Sequence, residues 1–120
     1  MNNKNNNLVS QNEKKGNCNF VEKVMNCLNG DQKVELADKF LTNEIVAVFK
    51  DDELKSSIDA FFVNNLNISE TSRNSFMHRN TLLYRIDKIY KSTGLNIRNF
   101  DDAVTLLLLE AVYEKTKNLR

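Results

Sequence analysis

The stretch FMHRNTLLYRIDKIYKSTG, residues 76–94, holds the chain's only histidine and changes character along its length. It opens on short polar residues and then settles into an apolar stripe. Leu82, Ile86 and Ile89 fall at i, i+4 and i+7, the spacing of one side of an α-helix. A helix is therefore expected over residues 79–92, entered through a tight turn at Met77 and His78. Thr93-Gly94 supplies its stop, because glycine freely takes the left-handed conformation that closes helices. With three apolar positions facing a core, Arg79, Asn80, Thr81, Tyr84, Arg85 and Lys88 are left on the other sides.

Upstream, DDELKSSIDAFFVNN (residues 51–65) starts with an acidic cap and sets Leu54, Ile58, Phe61 and Phe62 on one stripe. The turn LNIS follows, with Ser69 expected to cap a short helix over residues 70–76. Helix, short helix, tight turn and longer helix make up the layout of a helix-turn-helix, whose last helix enters the DNA major groove. The side chains suit that task. Arginine forks onto guanine or phosphate, asparagine pairs with adenine, and hydroxyls reach phosphate oxygens. Arg79 and Asn80 are the expected base readers, and Thr81 and Arg85 the expected phosphate contacts. His78 stands where an imidazole can cap free amides or touch a phosphate. Tyr84 reaches either the DNA backbone or a neighbouring helix, while Arg73 and Lys88 complete the candidate set.

Charge agrees with this reading. Residues 69–98 carry six cations (Arg73, Arg79, Arg85, Lys88, Lys91, Arg98) against Glu70 and Asp87, a net +4. The whole chain is +1, so the remainder sums to −3. One basic element in a near-neutral chain fits a small DNA-binding domain with an acidic remainder.

The rest of the chain reads as further helices. Residues 1–19 contain eight asparagines and few apolar groups, and are expected to form a disordered tail. Residues 20–50 are expected to be an N-terminal helical segment, and residues 51–120 the DNA-binding domain. In FVEKVMNCLNG, Gly30 is the expected stop and Cys27 is expected on the apolar side. DQKVELADKFL is expected to start at an Asp31 cap. NEIVAVFK (residues 43–50) suits a strand or a short helix, and with no other strand candidate nearby the helix is favoured. The last helix, capped by Asp101 and running to about residue 117, is apolar almost all round. Surplus apolar surface of that kind marks an interface, so a homodimer through this helix or through residues 20–49 is expected.

Several classes are excluded. No apolar run approaches the ~20 residues that cross a bilayer, and the N-terminus lacks a signal-peptide core, so a cytoplasmic location without membrane contact is expected. Cys18 and Cys27 with one distant histidine make no metal set. Paired catalytic groups and a glycine-rich phosphate loop are missing, so neither enzymatic chemistry nor a cofactor is expected. Asp51-Asp52-Glu53 and Asp101-Asp102 read as acids placed favourably at helix starts.

HRNTLLYRIDKIYKSTGLNI resembles the C-terminal helix-turn-helix of the PucR/CdaR family of bacterial transcription regulators. His78, Arg79, Asn80, Thr81, Leu82, Tyr84 and Arg85 match that signature position by position, Ile86 replaces its last leucine, and Thr93-Gly94 match its end. LKSSIDAFFVNNLNISETS and NFDDAVTLLLLEAV are similar to the flanking helices, so the resemblance covers about residues 54–113. Fis-type factors share the shorter Arg-x-Thr-Leu element. The resemblance implies an all-α fold with a Fis-like three-helix core and sequence-specific binding of double-stranded DNA, usually as a dimer. It also implies a sensory region for which this chain has no room, so no effector can be read. Two departures stand out. Ser72 replaces the usual alanine, a change expected to be harmless, and Ser75 replaces a buried leucine, leaving Phe76 or Met77 to fill the gap. A rival reading is a helical interaction module that has lost its sensor and pairs with a longer regulator.

Overall fold

A computed structural model describes residues 19–119, and these are all-helical. The Asn-rich tail expected over residues 1–19 lies, but for its last residue, outside the described residues, as does Cys18. In chain order the helices are α1 (Asn19–Asn26), α2 (Gly30–Phe40), α3 (Asn43–Lys50), α4 (Asp52–Val63), α5 (Ile68–Asn74), α6 (Arg79–Thr93) and α7 (Phe100–Thr116). NEIVAVFK is thus a helix, started by Thr42 Oγ1 accepting from the Ile45 amide at 3.2 Å.

Three helix starts differ from the expected ones in the same way. Asn29, Asn67 and Asn99 cap α2, α5 and α7, each two residues before the expected Asp31, Ser69 and Asp101. Their Oδ1 atoms accept from the amides of Gln32, Glu70 and Asp102 at 2.8, 2.8 and 3.2 Å. Asparagine is as good a cap as aspartate. Asp31 and Asp101 then sit in the first turns of α2 and α7, where the helix dipole favours them. Gly30 accordingly opens α2 rather than closing α1. Asp51 does cap α4, accepting from the Glu53 and Leu54 amides at 3.0 and 3.1 Å.

One core runs through the described residues. It takes Met25 from α1, Ala37 from α2, Ile45, Val48 and Phe49 from α3, Leu54, Ile58 and Phe61 from α4, and Leu82, Ile86 and Ile89 from α6. Ala103, Leu106 and Val112 of α7 close it. Burying each large side chain is worth roughly 1.5–3 kcal/mol. α7 lies on α1, α2 and α3, while α3 also touches α4 and α6. The α4–α5–α6 trio packs together in turn, so α6 is held from behind on one side and left open on the other.

α7 sorts its apolar residues more finely than composition suggests. Ala103, Leu106 and Val112 are buried, whereas Phe100, Val104 and Leu108 form an exposed stripe at i, i+4 and i+8. Glu110 is buried in that helix and meets Lys55 of α4 at 3.1 Å. Cys27 is exposed, because α1 ends at Asn26 before the apolar stripe can carry it inward.

Candidate nucleic-acid interface

The first two helices of the trio are locked by two asparagines. Asn64 Nδ2 donates to the Ala60 carbonyl at 2.8 Å, and Asn64 Oδ1 accepts from Asn74 Nδ2 at 2.6 Å. The chain reverses between them through Asn65 and Leu66, both at positive φ (56° and 62°). Asparagine tolerates that conformation better than leucine does, and the leucine is held there by partial burial against the core.

The turn into α6 is built around Phe76, Met77 and His78. Met77 packs against the core and its amide donates to the Ser72 carbonyl at 2.9 Å. Of the two residues expected to fill the gap at Ser75, Met77 is the one that packs inward. Phe76 has φ +53° and is 97% exposed, so it fills nothing. Left-handed backbone at a non-glycine residue costs about 1–2 kcal/mol. Ser72 is not the harmless substitution expected: its Oγ is buried with no hydrogen-bond partner among the described residues.

His78 caps α6. Its Nδ1 accepts from the Asn80 amide at 3.0 Å, which leaves the ring proton on Nε2. Behind it, Leu82, Ile86 and Ile89 are buried as their spacing requires. Gly94 closes the helix at φ +82°, its amide donating to the Tyr90 carbonyl at 2.7 Å.

The candidate side chains divide into two sets. Arg79, Asn80, Tyr84 and Lys88 are exposed on α6, Thr81 is half-buried, and Arg73 is exposed on α5. Arg79 Nη1 reaches back 3.5 Å to Ser69 Oγ at the start of α5, bringing the two helix starts to one place. Lys91, one turn beyond Asp87, pairs with it at 3.1 Å. Arg85 belongs elsewhere. Its Nη1 donates to the buried Ser57 Oγ at 3.1 Å, its Nη2 lies 3.8 Å from Glu53, and its side chain is 20% exposed. It braces α6 against α4 instead of turning outward. The sequence offered a sign of this, since Arg85 stands one residue from Ile86 on the edge of the buried stripe. The Asn64–Asn74 lock was missed, because nothing in a local pattern pairs residues ten apart across a turn.

A short helix, a tight turn and a longer helix with its polar side open define a helix-turn-helix domain. Residues 54–110 match the PucR C-terminal helix-turn-helix domain, so this stretch of the chain is similar to the helix-turn-helix domain of that family of transcription regulators. An uncharacterized protein of Bacillus subtilis (strain 168), YxkF, is 34% identical over 71 residues, which cover 58% of this chain and 24% of the relative. The Carbohydrate diacid regulator of Escherichia coli (strain K12) is 43% identical over 53 residues, 44% of this chain and 14% of the relative. The chain spans about a quarter or less of the curated relatives it matches. No solved structure matches it.

Proposed function

We propose that this protein binds double-stranded DNA sequence-specifically through α6 and regulates transcription in the bacterial cytoplasm. One observation carries the reading. Arg79 and Asn80 are exposed at the capped first turn of α6, and the helix behind them is fixed by three buried residues further along. Base edges in the major groove offer the paired acceptors and donors that these two side chains match. His78, Thr81, Tyr84, Lys88 and Arg73 flank them as candidate phosphate contacts. Arg85 acts on DNA indirectly, by holding α6 at its angle.

The domain works as a homodimer, which doubles the half-sites read. Phe100, Val104 and Leu108 supply the surface for it, with the exposed Phe40 nearby across a groove that also borders Leu108. Regulation of this kind also fits the E. coli relative, whose name is that of a carbohydrate diacid regulator.

The test is selection of a duplex from a random-sequence pool by the whole protein, followed by titration of wild type and Arg79→Ala/Asn80→Ala. Each good bidentate base contact is worth about 1–3 kcal/mol, so the double variant should lose about 100-fold or more on the selected duplex while keeping its helical spectrum. If no sequence is enriched, or the variant binds as well as wild type, the proposal falls and the interaction-module reading takes its place.

A further inference from the structure

We infer that Arg98, in the loop after the recognition helix, is a contact to the DNA phosphodiester backbone. The inference rests on the DNA-binding reading of α6 and extends that surface onto a second element.

The loop is held from both ends. Thr93 Oγ1 accepts from the Leu95 amide at 3.1 Å, and Ile97 is buried to 1% exposure. The Asn96 amide donates to Asp102 Oδ2 at 3.0 Å, fastening the loop to the first turn of α7. Asn96 Oδ1 accepts from the Arg98 amide at 3.0 Å, and the Asn96 carbonyl accepts from the Asn99 amide at 2.9 Å. With Ile97 anchored inside, Arg98 is exposed on a braced backbone. Such an arginine loses little further backbone freedom on binding.

The location follows from α6. Arg98 and Asn96 line an open cleft with Leu83, Ile86, Asp87 and Tyr90. Arg79, Leu83 and Tyr90 stand at i, i+4 and i+11, one strip along α6 leading from the candidate base reader to the cleft. At 1.5 Å per residue, Tyr90 lies roughly 16 Å along the axis from Arg79. The major groove is only about 12 Å wide. With Arg79 at base edges, Arg98 stands by the other end of α6, away from the candidate base reader and toward the flanking phosphates.

The electrostatics favour an anion from outside. Of the carboxylates around this loop, Asp87 on the cleft and Asp102 at the start of α7 are engaged, and the exposed Asp101 stands in the first turn of α7. Asp87 holds Lys91 at 3.1 Å, and Asp102 holds the Asn96 amide. The Arg98 guanidinium makes no ion pair or hydrogen bond among the described residues. A guanidinium fork matches phosphate oxygens in pairs. The exposed Tyr90 on the same cleft adds a hydroxyl able to donate to a neighbouring oxygen.

The experiment uses the whole protein and two probes: the duplex it enriches from a random pool, and an unrelated duplex of equal length. Affinities are measured across a salt series for wild type, Arg98→Ala, Arg98→Lys and, as a control of equal charge, Lys23→Ala on α1. Each neutralised phosphate contributes about 0.9 to the slope of log affinity on log salt. Arg98→Ala should flatten that slope by about one and weaken both duplexes by the same factor, about 3- to 10-fold near physiological salt. Arg98→Lys should keep the slope, because lysine still neutralises a phosphate, and Lys23→Ala should leave it unchanged. A wild-type slope retained by Arg98→Ala, or an equal flattening by Lys23→Ala, overturns the inference and leaves the α6 reading intact. A loss confined to the selected duplex overturns it too, since Arg98 would then be reading bases. Failure of wild type to bind either duplex is a different result, and it removes the α6 reading along with the inference.

Discussion

Two regions of this molecule place lysines and arginines in opposite circumstances. On the open side of α6, Arg79 and Lys88 are exposed, and no ion pair holds either among the described residues. Between α4 and α7, Lys55 is surrounded: its Nζ lies 3.1 Å from Asp59 and Glu110 and 3.5 Å from Glu114. Composition counts these cations alike. A cation left in water keeps its field available to a partner's phosphates, whereas one enclosed by carboxylates is consumed in holding two helices together. Net charge along a chain therefore points to an interface only after the internal pairs are subtracted. For residues 69–98, that subtraction removes Arg85, braced on Ser57 and Glu53, and Lys91, paired with Asp87.

The largest effect is expected at Lys55. Lys55→Met keeps the aliphatic stem and removes the charge, leaving the Glu110, Asp59 and Glu114 carboxyls around an empty centre. Losing one partner of a buried ion pair costs about 3–5 kcal/mol, and about 3 kcal/mol is expected here by urea denaturation near pH 8. Lys88→Ala, a change of the same charge on the other region, should stay within about 0.5 kcal/mol. A cost below about 1 kcal/mol for Lys55→Met would mean that the cluster behaves as a surface pair, and the distinction would be lost.

The same cluster sets a pH dependence. Burial pushes the Glu110 carboxyl up to about 8, the adjacent Asp59 carboxylate adds to the rise, and Lys55 opposes it. Glu114 also faces Lys55. A folded-state value above the ordinary 4.5 means that the fold favours the protonated form. The stability this group contributes is complete below about 4.5 and is lost as pH rises through about 8. The unfolding free energy from urea denaturation should therefore fall between about pH 5 and pH 9, by on the order of 3 kcal/mol. Glu110→Gln, which cannot ionise, should flatten most of that fall. An unchanged profile in the glutamine variant would assign the dependence to other groups.

Much of this architecture was legible in local pattern, and what was not has a common physical origin. Leu82, Ile86 and Ile89 declared the buried side of α6, and Gly94 its end, because both signals depend on residues within a few positions of one another. Helix starts differ by two residues at α2, α5 and α7, since asparagine and the aspartate or serine two positions on are all good caps and only backbone geometry decides between them. Local pattern gives no reason for Glu110 within an apolar helix, because its partner Lys55 is 55 residues away. Arg85 read as an outward cation for the same reason, its acceptor Ser57 lying on another helix. Exposed positions on α6 were found from periodicity, but which exposed charges remain free depends on tertiary contacts that no spacing rule contains.

Within α6, Arg85 stands with the engaged cations and not with the open ones. Arg85→Ala removes the hydrogen bond to Ser57 Oγ and the contact to Glu53, and should cost about 1–2 kcal/mol of stability. If it only braces the helix, the salt slope of DNA binding should stay at the wild-type value while affinity falls, since no phosphate contact has been removed. A slope flattened by about one would return Arg85 to the outward set.

The smallest effect tests how firmly the turn before α6 is held. Ser72 Oγ is buried with no hydrogen-bond partner among the described residues, although the Ser72 carbonyl is engaged by the Met77 amide. A buried, unsatisfied hydroxyl costs about 1–3 kcal/mol relative to a satisfied one, and replacing it with a methyl of similar shape removes that cost. Ser72→Ala should stabilise the protein by about 1 kcal/mol in urea denaturation. DNA affinity should remain at the wild-type value, because Ser72 lies behind the turn and the open side of α6 is unaltered. A destabilisation would show that the hydroxyl has a partner, for example an ordered water, and that polar contacts as well as Met77 hold this turn.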